Sequence, residues 1–283
     1  MPLLFDAGGI ATRKTKRGKS CAEKMAIGAL KYIAIKNAFQ KKQPLYENTI
    51  FQKYFTDFYV LKQGSFSTPV MQEVFYRFFQ AVRELYASFC AKYSCVKYKK
   101  EEIFNIIATI LSRIAGEYEK SFSSKILHTL DNDSPIIDNN VLTGLGLKKA
   151  LMPYGELLYK YFDATVIVIN GTHYNPSSGK GGLVEIAKDE NWDENFNKLC
   201  KAQYSSIFGG KKATHRNKIK EILADICQVN GAAESKIKAD LASIKNWDEA
   251  VNKMNKSGVY IEKQIADISL VKKIDFYLWA LFA

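Results

Sequence analysis

Asp138 and Lys125 are the two side chains whose places in the sequence suit them best for chemistry. Asp138 closes the run Pro135-Ile136-Ile137-Asp138, behind two isoleucines and ahead of a helical pattern. A carboxylate in a water-poor position stabilises positive charge developing on a substrate, and it can orient or deprotonate an attacking water. The plain alternative is a helix N-cap, and the two roles are compatible. Lys125 stands thirteen residues earlier, in a short helical pattern over 122–131. As a point charge on a flexible stem it can contact a phosphate. His128, one turn after Ser124, reads as a packed polar residue of the same helix.

Three further segments suit a ligand. The cluster Arg13-Lys14-Thr15-Lys16-Arg17-Gly18-Lys19 reads as a phosphate-contacting arm or as a solvated terminus. Gly18-Lys19-Ser20 resembles the end of a phosphate-binding loop, but Arg13 stands where that motif needs a glycine, and no apolar strand precedes it. In the loop 171–182, Gly171, Gly179, Gly181 and Gly182 allow close backbone approach. Lys180 adds charge there, while His173 and Tyr174 can stack on a base or line a pocket. The turn at 208–217 carries Lys211, Lys212 and Arg216 toward the next helix.

The elements that must position these residues are helical. Ser20 is a suitable N-cap for a helix from Cys21 to about Phe39, with Met25, Ala26, Ala29, Leu30 and Ile33 on its buried face. A second helical pattern runs from Leu45 to about Val60. After the turn Lys62-Gln63-Gly64-Ser65-Phe66-Ser67-Thr68-Pro69, the stretch 70–93 places Val74, Phe75, Phe78, Phe79, Val82, Leu85, Tyr86 and Phe89 in the core. Residues 99–115 follow as a buried helix through Ile103, Ile106, Ile107, Ile110 and Leu111. Val166-Ile167-Val168-Ile169 fits a strand or the end of a buried helix. Helical patterns return at about 193–208, 215–229, 234–244, 247–255 and 269–282. The fold class is mainly α. Its expected parts are a basic arm over 1–19, a helical domain over 20–150, and a C-terminal helical region over 151–283 that completes a cleft.

Composition narrows the partner. The 283-residue chain has 41 Lys and Arg against 29 Asp and Glu, a net charge of +12. That excess favours a polyanion, because neutralised phosphates release condensed counterions. A lysine-rich surface that serves only solubility is the plain alternative. Five cysteines without a CxxC suit neither a disulfide framework nor a zinc or iron–sulfur site, and point to a reducing, cytoplasmic compartment. No apolar run reaches the length of a membrane span, and the N-terminal charges follow an apolar patch, the reverse of a signal peptide.

The segment from Ser121 to Leu147 resembles the helix-hairpin-helix DNA glycosylases. Pro135-Ile136-Ile137-Asp138, with Val141 and Gly144-Leu145-Gly146-Leu147, is similar to the second half of that family's signature, and Ser124-Lys125 to the first half. The chain departs from the pattern in having no Gly-x-Gly in Phe122-Ser123-Ser124, and in a Lys-to-Asp spacing about one helical turn short. The resemblance implies a helix-hairpin-helix bundle with an elaborated C-terminal region. It implies that Asp138 stabilises charge on the sugar as the N-glycosidic bond breaks. Lys125 is then a Schiff-base amine or, as the altered spacing favours, a phosphate contact. Ser123 and Ser124 would offer hairpin amides to a phosphate. A flipped base leaves a gap, and Phe66 or Tyr174 is the candidate to fill it.

The implied function is a monofunctional glycosylase that leaves an abasic site. Its expected partner is double-stranded DNA with a modified base, taken by a monomer without cofactor, metal or membrane. Hypermodified phage DNA, such as glucosylated hydroxymethylcytosine, is the leading substrate class in a defence role. Repair of oxidised or alkylated bases is the enzymatic alternative, and a non-catalytic DNA- or RNA-binding module the other.

Overall fold

The computed structural model describes residues 7–15, 18, 20–61, 64–93, 99–117, 119–132, 134, 136, 192–210, 213–231 and 233–282. These residues form an all-α protein. In chain order the helices are α1 (Ala7–Thr12), α2 (Cys21–Phe39), α3 (Thr49–Phe58), α4 (Pro69–Tyr93), α5 (Lys99–Ala115) and α6 (Lys120–Leu130). After these come α7 (Trp192–Gly209), α8 (Ala213–Val229), α9 (Glu234–Ala242), α10 (Trp247–Lys256), α11 (Ile261–Ala266) and α12 (Leu270–Phe282). Among the described residues there is no strand, only a bridge between Lys14 and Ser20. The expected strand at 166–169 lies outside the described residues.

Helix α2 is the hub. Ser20 Oγ accepts from the Glu23 amide at 3.2 Å, so the helix starts where its cap predicts. Its periodicity predicts one buried face, yet Ala34, Ile35 and Ala38 are buried as well. The small side chains make this possible, because α3, α7, α8 and α12 all pack around α2. Gly28 marks the closest approach. A Cβ there would lie 3.1 Å from Phe276 Cε1 and 3.3 Å from Phe58 Cε2.

Helix α3 starts later than its apolar pattern suggests. The Pro44 carbonyl accepts from the amides of Glu47 and Asn48, which makes 44–47 a turn. Buried Asn48 then joins two helices: its Oδ1 accepts from Phe51 N, and its Nδ2 donates to the Ala38 carbonyl at the end of α2.

Helices α4 and α5 correct part of the expected core. Phe75, Phe79, Ile107 and Leu111 are buried, but Leu85, Ile106 and Ile110 are exposed, and Val74 lies on the exposed side of α4. Only one face of each long helix meets the bundle, so apolar residues a third of a turn away remain outside.

The N-terminal segment is a correction too. Expected as an extended arm, it forms α1, with Ile10 fully buried, and the Cys21 amide donates to the Arg13 carbonyl. The helices before and after 137–191 share one hydrophobic core. Tyr204 Oη of α7 donates to the Ala26 carbonyl of α2 at 2.7 Å, and its ring stacks on Trp247 at 4.3 Å.

Candidate functional site around helix α6

Helix α6 is set by the turn before it and the turn after it. Gly116 takes a φ of 75° as α5 ends, a left-handed conformation that glycine adopts without strain. The Ser65 hydroxyl sits between the carboxylates of Glu117 and Glu119. Burial raises the Glu119 pKa above the ordinary carboxylate value; the Ser65 hydrogen bond opposes it, Glu117 adds to it, and Lys125 lowers it again.

Lys125 stands mid-helix and is nearly buried. Its Nζ donates to the Tyr59 carbonyl at 3.3 Å and lies 4.7 Å from the Phe122 ring centroid and 5.6 Å from that of Tyr59. A surface phosphate contact has its ammonium in solvent, so this geometry corrects that expectation and leaves an amine held in an aromatic box.

Three other expectations are corrected here. Ser123 and Ser124 are not hairpin residues. Both are buried inside α6, where Ser123 Oγ donates to the Glu119 carbonyl at 2.6 Å and Ser124 Oγ to that of Ser121 at 2.8 Å. Mid-helix amides are used within the helix and have nothing to offer a phosphate. Phe66 is fully buried, 5.1 Å from the Phe75 ring and edge-on to Phe122, so it is a core residue and not a wedge.

At the other end of α6, His128 is completely buried and both ring nitrogens are engaged. Nδ1 lies 2.6 Å from the Ser134 carbonyl and Nε2 lies 3.1 Å from Tyr32 Oη. A carbonyl only accepts, so Nδ1 carries the proton and Nε2 is left as an acceptor, which shares the one Tyr32 hydroxyl proton with Asn132 Oδ1. Burial, reinforced by the charges of Lys272 and Lys36, lowers the His128 pKa to about 3. Tyr32 Oη also meets the Asn132 amide at 3.0 Å, and Ser269 Oγ at the head of α12 donates to the Asn132 carbonyl at 2.8 Å.

Lys272 completes the surroundings. It is 1% exposed, ion-pairs with Asp275, and lies within 5.5 Å of the ring centroids of Tyr32, Phe58, Tyr59 and Phe276. Its neighbour Lys273, also buried, donates to Asp193 and to the Ala266 carbonyl. Neither lysine was singled out from the sequence. The available signal was a Lys pair inside a helix that is apolar on every side.

The remaining candidates are placed as follows. Lys14 is exposed. Arg216 is half-buried and donates from Nη1 to the Phe208 carbonyl near the end of α7. Asp138, Lys16, Arg17, Lys19, His173, Tyr174, Lys180, Lys211 and Lys212 lie outside the described residues.

An open cleft of about 820 Å³, unanticipated from the sequence, lies between α3 and α8. Lys53 Nζ bridges Glu221 and Asp225 at 2.6 Å each, and Tyr54 Oη donates to Asp225 at 2.7 Å. The ion pairs compensate one another, so the cleft carries no concentrated field for an anion.

Among the described residues no group of three or more His, Cys, Asp or Glu is placed to hold a metal, and no helix is long and apolar enough to cross a membrane. Cys21, Cys200 and Cys227 are buried thiols. No protein family, curated protein or solved structure matches the chain.

Proposed function

We propose that this protein is a DNA glycosylase of the helix-hairpin-helix type, with Asp138 as the carboxylate that stabilises the sugar cation and directs water. The observation that carries the reading is the burial of Lys125, in a helix whose C-terminal turn leads directly into Pro135-Ile136-Ile137-Asp138. A lysine withdrawn from water among aromatic rings has no use as a solubilising or phosphate-contacting charge. It is the type of amine that attacks an abasic sugar when its proton is lost. Burial therefore favours a Schiff-base role for Lys125, against the phosphate contact that the altered spacing favours.

In this reading the hairpin is the turn between α5 and α6. Glu117 and Glu119 on that turn repel phosphate, so the grip on the DNA backbone falls to the basic residues between Arg13 and Lys19 and to the lysine-rich turn before α8. The net charge of +12 supplies the sequence-independent part of the affinity.

The test is base release from duplexes carrying oxidised, alkylated, deaminated or glucosylated hydroxymethyl bases. Wild type is expected to release one class, and Asp138→Asn to slow release by about 100-fold or more. Lys125→Met should abolish any borohydride-trapped protein–DNA adduct. Salt-sensitive binding without release from any of these duplexes would overturn the enzymatic reading and leave a binding module.

A further inference from the structure

The polar chain at the end of α6 joins four parts of the fold, three of them through the His128 side chain. His128 belongs to α6, its Nδ1–H reaches the Ser134 carbonyl, its Nε2 shares the Tyr32 hydroxyl proton of α2 with Asn132 Oδ1, and the Asn132 carbonyl in the same turn is held by Ser269 at the head of α12. The turn is also closed locally: the Ser134 amide donates to the Asp131 carbonyl at 2.9 Å, and Ser134 Oγ donates to Asp131 Oδ2 at 2.6 Å. Two residues further on, Ile136 is buried in the core.

We infer that His128 is a positioning residue, which locks the Asp131–Ser134 turn to α2 and so fixes the helix that carries Lys125 in register with the chain leaving that turn. The inference rests on the glycosylase reading for its catalytic meaning, but the clamp itself is a property of the described residues. A fully buried site would accommodate leucine or phenylalanine without the desolvation cost of an imidazole. What an imidazole adds is a donor and an acceptor on opposite sides of one rigid ring, matched here to a carbonyl on one side and a hydroxyl on the other. No apolar side chain could tie the turn to α2 in this way. Displacement of a reacting group by about 1 Å costs on the order of 100-fold in rate, which is the scale such a clamp protects.

Two near-isosteres divide its bonds. Asn places its amide nitrogen near Nδ1, so His128→Asn keeps the bond to Ser134 and loses the one to Tyr32. Gln reaches the position of Nε2, so His128→Gln keeps Tyr32 and releases the turn. Each variant loses one buried hydrogen bond, and a merely structural role predicts equal effects.

The experiment measures amide hydrogen exchange over 129–136 and, on the substrate identified by base release, kcat and KM. In His128→Gln the turn should exchange about tenfold faster, with kcat down roughly 10- to 100-fold and KM unchanged. In His128→Asn both should stay within about threefold of wild type. Equal exchange in the two variants would overturn the clamp. A release-competent wild type whose His128→Gln variant loosens the turn but keeps its kcat would overturn the positioning role. If wild type releases no base from any duplex, the glycosylase reading fails, and the exchange difference alone decides the clamp.

Discussion

At the residue scale, the neutral state of buried His128 sets a pH dependence. Its pKa is lowered to about 3 in the fold, by burial first and by Lys272 next. In the unfolded chain it returns to the ordinary value of about 6.5. Between those limits the unfolded state binds a proton that the folded state refuses. The His128 contribution is therefore complete above about pH 6.5 and falls by about 1.4 kcal/mol per pH unit as the pH drops toward 3. Urea midpoints at stepped pH should show this slope in wild type and a shallower one in His128→Asn. Parallel slopes would mean that the imidazole is protonated in the fold. Lys125 teaches a related point. Its type and place in a helical pattern were legible, but whether its ammonium faces water is decided by Tyr59 and Phe122, and Tyr59 reaches it from the turn that ends α3.

At the element scale, the joint between α2 and α3 depends on one amide. Asn48 caps α3 with its oxygen and the end of α2 with its nitrogen. Asn48→Ala removes the α3 cap and one of the bonds to the Ala38 carbonyl, which keeps the Lys41 amide, a loss of about 1 to 2 kcal/mol. A lower urea midpoint with an unchanged m-value is the expected result, and Asn48→Asp should recover the cap but not the bond to Ala38. Elements with a cap next to their apolar run were read correctly from sequence, as Ser20 before α2 illustrates. Helix α1 and the short α11 were missed, since six residues hold too few turns to show a period. Ser123 and Ser124, expected to present hairpin amides, lie inside α6. In the fold their hydroxyls bond back to carbonyls of their own helix.

At the scale of the whole molecule, the shared core predicts cooperative unfolding. Trp192, Trp247 and Trp279, the three tryptophans of the chain, all lie after residue 191, whereas helicity is spread over both ends of the sequence. Because α2 packs against α7, α8 and α12, tryptophan fluorescence and far-UV circular dichroism should give coincident denaturation curves. A fluorescence transition separated from the helical one would show that the two ends fold as independent units, against the packing of Tyr204 on Ala26.

Taken alone, the sequence determined what local chemistry decides. Helix periods, the Ser20 cap, the Pro69 start, the placement of His128 as a packed residue and the basic charge balance all follow from neighbours a few positions apart. The tertiary structure alone decided which polar groups leave water. Lys272 is enclosed by Tyr32, Phe58, Tyr59 and Phe276, from three parts of the chain, and the partners of His128 come from α2 and from the turn beyond α6. The physical reason is that a helical period records only that one side of a helix is apolar. The desolvation of a lysine or a histidine depends on the atoms that close over it from elsewhere in the chain.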